Sequence, residues 1–256
     1  MSPGSGGAKR SIVKCISSAE QLDVARFNRL GLGVEIQDFT EPNLSFGEQE
    51  EIAGRYRRLF EGFKGIKSLH GPFLDLKPAS PDPLIRAVSY ERYRRALQIA
   101  TALETDFIVF HSQINPFLNE PALRDRNNRQ AGAFWDRILE ETEYRGTILI
   151  ENIFEKDADL LKRYLRTVNR PNLKANLDLG HLKARGAGLE EWLGELKDDL
   201  VYMHIHSNDG RYDLHRRPTT QEIARLYSLL DRYRLNPVLA LEYPFDHLEA
   251  ELARYR

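Results

Sequence analysis

Eight short apolar runs punctuate the chain at 11–16 (SIVKCI), 33–37 (GVEIQ), 66–70 (IKSLH), 106–111 (DFIVFH), 147–152 (TILIEN), 173–179 (LKANLDL), 200–206 (LVYMHIH) and 237–243 (PVLALEY). They are rich in β-branched residues and strand-length. The intervening stretches carry apolar residues at helical spacing, most clearly 90–104, 133–144, 158–168 and 220–234. Apolar runs of this length alternating with amphipathic stretches predict parallel strands joined by crossover helices. Eight strand-then-helix units predict an α/β protein built as a single (β/α)8 TIM barrel. A doubly wound open sheet is the alternative, but it usually has fewer units. Its phosphate-binding glycine turn is also missing, since Gly31-Leu32-Gly33 is too short and precedes a strand instead of following one.

No composition break divides the chain, so one barrel domain is expected over residues 11–256. Residues 1–10 (MSPGSGGAKR) read as a flexible tail. The stretch 71–89, with four prolines, reads as a long loop after the third strand and as the element shaping substrate access.

At 256 residues the chain has the usual size of one such barrel. Its formal charge of −1 provides no global attraction toward nucleic acid or an anionic membrane. The RYRR runs at 55–58 and 92–95 fall on predicted helices, where solvated faces explain them. No segment approaches the roughly 20 apolar residues of a membrane span, and Cys15 has no intrachain partner. A cytoplasmic protein without membrane partners is the expectation, with Cys15 as a buried strand residue.

Chemistry concentrates at the run ends. Six of the seven histidines lie at or just beyond them: His70, His111, His181, His204, His206 and His215. Glu151, Asp178 and Glu242 occupy the same kind of position, and Asp213 follows the seventh run. In a (β/α)8 barrel these ends form the active face, and imidazoles gathered with carboxylates are what a divalent-metal site requires. His204 and His206 share strand parity and both point inward. His206, nearer the strand end, is the better ligand, and His204 is expected to pack one layer deeper. Glu35, inward on the second strand, is open as a ligand, a substrate contact or the buried partner of a histidine.

HGP at 70–72, IEN at 150–152, DLGH at 178–181, HIHSNDGRYDLH at 204–215 and LEY at 241–243 together resemble the xylose isomerase-like barrel superfamily. That superfamily includes sugar isomerases and epimerases and apurinic endonucleases of the endonuclease IV type. Resemblance to the single-metal epimerases implies that Glu151, Asp178, His206 and Glu242 hold one Mn²⁺, Mg²⁺ or Co²⁺. It also implies that Glu151 and Glu242 exchange protons with a sugar carbon through a metal-stabilised enediolate, with His181 binding substrate. Resemblance to the endonucleases implies a set of nine for up to three zinc ions: His70, His111, Glu151, Asp178, His181, His206, Asp213, His215 and Glu242.

Two departures bear on the choice. Arg211 lies five residues past His206, where such epimerases carry an arginine six past, and the later turn is HRRPTT instead of a Pro-Gly turn. This counts against an epimerase of free ketoses. Phe73 replaces the tyrosine that the endonucleases carry there, and with near-neutral charge this counts against a grip on duplex DNA. The expected function is a metal-dependent isomerase or epimerase of a sugar, sugar phosphate or polyol, with a small-molecule partner. The alternative is a zinc-dependent apurinic endonuclease or other phosphoesterase, with nucleic acid as partner.

Overall fold

The computed structural model describes residues 10–41, 43–118 and 120–256. Residues 1–9 of the expected tail lie outside the described residues, while Arg10 already rests over the Tyr227 ring at 4.5 Å.

Each of the eight predicted runs contains one strand: β1 Ile12–Ile16, β2 Gly33–Ile36, β3 Lys67–His70, β4 Phe107–His111, β5 Thr147–Glu151, β6 Leu173–Asp178, β7 Leu200–Ile205 and β8 Val238–Leu241. They pair in chain order, all parallel, and β8 closes on β1. Around this barrel run α1 (Val24–Leu30), α2 (Phe46–Phe60), α3 (Pro83–Ala102), α4 (Pro121–Glu141), α5 (Ala158–Val168), α6 (Leu179–Ala184), α7 (Leu189–Leu196), α8 (Thr220–Tyr233) and α9 (Leu248–Leu252). None of these helices is long and apolar enough to cross a membrane.

The expected loop 71–89 is shorter than its prolines suggest. Asp82 accepts a hydrogen bond from the Leu84 N–H at 2.8 Å and Pro83 opens α3, so the last seven residues of that stretch are helical. A proline in the first turn starts a helix because its missing N–H is not needed there. The same placement of Pro121 starts α4 twelve residues before the expected 133, within a polar segment that shows little helical periodicity.

Strand parity divides the barrel. Outward residues such as Ile12, Ile36, Leu69, Ile108 and Ile150 join the layer between sheet and helices. Inward residues at the N-terminal end, including Val13, Val109, Leu149 and Tyr202, form a separate apolar plug. One layer further along the same inward rows come Glu35, Ser68, His70, Glu151, Asn176, Asp178 and His204, all buried. An apolar plug below and a polar layer above place all the interior chemistry at the C-terminal mouth.

Candidate metal centre

His70, His111, Glu151 and Asp178 end four consecutive strands, β3 to β6, while His206 and Glu242 lie one residue past β7 and β8. His181 enters from the first turn of α6, where Asp178 caps the helix by accepting the His181 N–H at 2.6 Å. Asp213 and His215 come from the β7–α8 connection, whose two ends are clasped by reciprocal 2.7 Å bonds between the backbones of Ser207 and Arg216. A left-handed backbone at His215 (φ 44°) turns its ring back toward the barrel. Seven of the nine line one pocket at the mouth, while Asp178 and His206 are buried.

Their donor atoms form overlapping groups. His70, His111 and Glu151 make one, Asp178, His181 and His206 another, and His206, His215 and Glu242 a third; within each, the donor atoms lie within 4.8 Å of one another. Asp213 Oδ2 lies 3.1 Å from His181 Nε2 and 3.2 Å from His215 Nε2. His70 Nε2 and His111 Nε2 stand 3.6 and 3.7 Å from the two oxygens of Glu151. Those last separations exceed a hydrogen bond and suit donors that share an ion between them.

Three features of the histidines fit a cation. His70, His181 and His215 each turn Nδ1 to a backbone carbonyl, of Gly71, Asn152 and Glu242, at 2.9, 2.9 and 3.0 Å. With Nδ1 held on a carbonyl, Nε2 is the nitrogen turned to the pocket and would offer its lone pair once its proton is displaced by a cation, the arrangement that orients ligating imidazoles. His206 Nδ1 is buried without a hydrogen-bond partner. His204 Nδ1 lies 3.1 Å from Glu151 Oε2, 3.1 Å from Glu242 Oε2 and 3.6 Å from Asp178 Oδ2, yet none of these meets hydrogen-bond geometry. Carboxylates crowded about a shared point without satisfying one another call for a positive centre.

The electrostatics agree. Burial alone would raise the Glu151 and Asp178 carboxyls, but facing imidazoles, His204 and His111 for the first, His181 and His206 for the second, hold both well below the ordinary carboxylate range. Burial lowers the His111 imidazole to about 3, so it stays neutral and ready to ligate. At His215 burial also lowers the pKa, but the hydrogen bond to Asp213 and the charge of Glu242 outweigh it and bring it to about 9.

His204 does more than the packing expected of it. Fully buried, it bridges Glu35 (Nε2 to Oε2, 3.1 Å) and the carboxylates above. Glu35 is thereby the buried partner of a histidine, the third of the roles left open, and also accepts from the Tyr202 hydroxyl at 2.9 Å. The Cys15 thiol turns inward to Glu35 at 3.5 Å. Three amides went unnoticed in the sequence. Asn152 accepts the Asp178 N–H at 2.8 Å and donates to its carbonyl at 3.2 Å. Asn176 donates to Glu151 Oε2 at 2.9 Å, and Gln37 donates to Glu242 Oε1 at 2.7 Å. Asn176 shares the inward parity of Asp178 and Gln37 that of Glu35, so both could have been found; Asn152 has the opposite parity to Glu151 and gives no such signal.

Above these groups opens a pocket of about 570 Å³, walled in part by Phe73, Leu74 and Phe154. Phe73 stacks on His111 with centroids 4.1 Å apart, covering its outer face. Lys77 is the only Lys or Arg among the described lining residues.

Residues 30–255 match the family described as xylose isomerase-like TIM barrel, and the chain belongs to that family. An uncharacterised protein of Methanocaldococcus jannaschii is 30% identical over 159 residues, a match spanning 58% of this chain and 58% of that protein. Among solved structures, a Thermus thermophilus protein soaked with ZnCl2 is 24% identical, with a TM-score of 0.72 over 96% of each chain. A D-tagatose 3-epimerase-like protein is 19% identical, with a TM-score of 0.68 over 94% of this chain and 93% of the other. D-Allulose 3-epimerase from Methylomonas sp. in complex with D-allulose is 19% identical, with a TM-score of 0.65 over 97% and 91%. These structural likenesses are likenesses of fold.

Proposed function

From this family membership we propose that the protein is a divalent-metal-dependent isomerase or epimerase of a small hydroxy-carbonyl compound of the sugar class. The observation that carries the reading is the placement of Glu151 and Glu242, from β5 and β8, each 3.1 Å from His204 Nδ1 at the floor of one small pocket. A cavity of about 570 Å³ suits a small molecule, and the sugar epimerases among the fold relatives support the substrate class.

Glu151, Asp178, His206 and Glu242 would hold the cation, with His204 beneath them. A divalent cation there supplies Lewis-acid stabilisation of charge developing on a carbonyl oxygen. The chain's own residues do the rest. Glu151 takes a proton from a carbon next to the carbonyl, and Glu242, across the pocket, delivers one. Asn176 and Gln37 hold each carboxylate in place through one oxygen. His181, anchored on the Asn152 carbonyl, binds a substrate hydroxyl, and Phe73 and Phe154 limit water.

A second reading rests on a separate observation: the His70–His111–Glu151 group and the His181–Asp213–His215 group flank the central carboxylates. Three zinc ions in such an array would support phosphodiester hydrolysis. One preparation tests both readings. The metal-loaded protein is assayed for metal content, for solvent deuterium incorporation into a panel of sugars and sugar phosphates, and for incision of a duplex containing an abasic site. The first reading expects exchange into one class of sugar and no incision. Two or three zinc ions, incision abolished by Glu151→Gln and no exchange would replace it with the second.

A further inference from the structure

A second cavity, of about 460 Å³, opens beside the metal pocket and shares Lys77 and Gln113 with it. It lies between the β3–α3 connection, the β4–α4 connection and the first turns of α4. Lys77, Arg124 and Arg126 line it, and no Asp or Glu does among the described residues. Elsewhere on α2, α3 and α4 some arginines are neutralised by carboxylates, as in Arg55–Glu51, Arg94–Glu91 and Arg137–Glu141, while Arg57, Arg58, Arg92 and Arg129 have no such pair among the described residues. The apolar groove between α6 and α8 has its lysine, Lys183, paired with Glu222 at 2.8 Å, and its arginine, Arg225, without a carboxylate partner among the described residues. Among the described residues none of the three cations of the second cavity has such a partner. The Arg124 Nε donates to the Leu118 carbonyl at 3.3 Å, which orients the guanidinium and leaves its terminal nitrogens available. Three cations lining one cleft with no carboxylate among them disfavour one another, an anion between them relieves this, and a planar guanidinium fork matches phosphate oxygens.

We propose that this cleft is a phosphate subsite and that the substrate is a phosphorylated hydroxy-carbonyl compound. Its carbonyl end lies over Glu151 and Glu242, and its phosphate lies between Lys77, Arg124 and Arg126. Placement of the reacting end rests on the reading of the metal pocket given above; the anion site itself does not. A nucleic-acid strand offers the same phosphate chemistry, so the test includes both sources.

Metal-loaded wild type, Arg124→Gln/Arg126→Gln and Lys77→Gln are titrated calorimetrically with inorganic phosphate, fructose, fructose 6-phosphate and a 5′-phosphorylated dinucleotide. Inorganic phosphate should bind the double variant at least about tenfold more weakly than wild type, a change equal to about 1.4 kcal/mol. Fructose 6-phosphate should bind wild type more tightly than fructose, and the double variant should erase that advantage. Lys77 is exposed on a connection, so its variant tests the site even if the double variant folds poorly. Should only the dinucleotide share the loss seen with inorganic phosphate, the anion site stands and the sugar reading of the metal pocket falls. Equal affinity of all phosphate probes for wild type and variants overturns the subsite and leaves the metal-pocket reading to its own exchange assay.

Discussion

Gly180→Ala sets two effects of opposite sign against each other. In α6, replacing glycine with alanine would ordinarily stabilise the helix by about 0.5–1 kcal/mol. Here the added Cβ would lie 1.8 Å from His206 Cε1, 2.2 Å from Nδ1 and 2.5 Å from Nε2. Ordinary contact begins at 3.4 Å, so the closest pair falls about 1.6 Å short. The imidazole has nowhere to retreat, being stacked on His215 with centroids 4.1 Å apart and held by Asp178 Oδ2 at 3.0 Å. Overpacking costs about 1–3 kcal/mol, and an approach this close belongs at about 2–3, leaving a net loss of about 1–2 kcal/mol. For a domain of this size that lowers Tm by about 2–8 °C. Metal–ligand distances tolerate only about 0.2 Å, so a displaced His206 should weaken zinc binding by about tenfold or more. Chemical denaturation of the metal-free protein measures the first effect, and competition with a chromophoric chelator measures the second. A variant at least as stable as wild type, with unchanged zinc affinity, would show that His206 is not held against α6 and would refute this account.

Glu242→Gln keeps an oxygen ligand but removes the proton-transfer capacity, so turnover of the metal-loaded variant in the exchange assay should fall by about 100-fold or more; near-normal exchange would remove Glu242 from the chemistry. Metal affinity should depend on pH. In the three-zinc reading, His215, raised to about 9 because Asp213 and Glu242 outweigh burial, carries a proton at about pH 7.5 that a metal on its ring must displace. Affinity should therefore rise with pH and level off near 9, with calorimetry in two buffers detecting the released proton. His215→Gln should flatten that slope, and a pH-independent affinity in wild type would contradict the assignment. Asn152→Ala strips the Asp178 N–H and carbonyl of their side-chain partner in a buried site, which should cost about 1–3 kcal/mol in denaturant unfolding. A loss under about 0.5 kcal/mol would mean that water replaces the amide.

Legibility in the sequence followed periodicity. The strands were readable because each is an apolar run, most of them ended by a His, Glu or Asp; position at the run ends put His70, Glu151 and Asp178 on the active face, and parity turned His204 inward. α5 was readable residue for residue, since Leu161, Leu165 and Val168 mark its buried stripe. The starts of α3 and α4 were not, because a capping aspartate and a first-turn proline resemble loop chemistry. Contacts between distant strand ends, such as Gln37 with Glu242 or Asn152 with Asp178, leave no periodic trace. The role of His204 was missed for a related reason: its depth was readable, but not that the glutamates of β5 and β8 lean over it.

The Ser207–Arg216 clasp separates the nine candidate ligands into two classes of origin. Seven of the nine project from the barrel or from α6, while Asp213 and His215 ride on one connection that meets the rest of the site only at its mouth. A deletion between the clasped ends would take away the outer pair and leave the central carboxylates on their strands. On the two readings proposed above, the number of ions held, and with it the bond attacked, would change by editing a single loop while the hydrophobic plug and the closed sheet stay as they are. Divergence of reaction class on this scaffold needs no refolding.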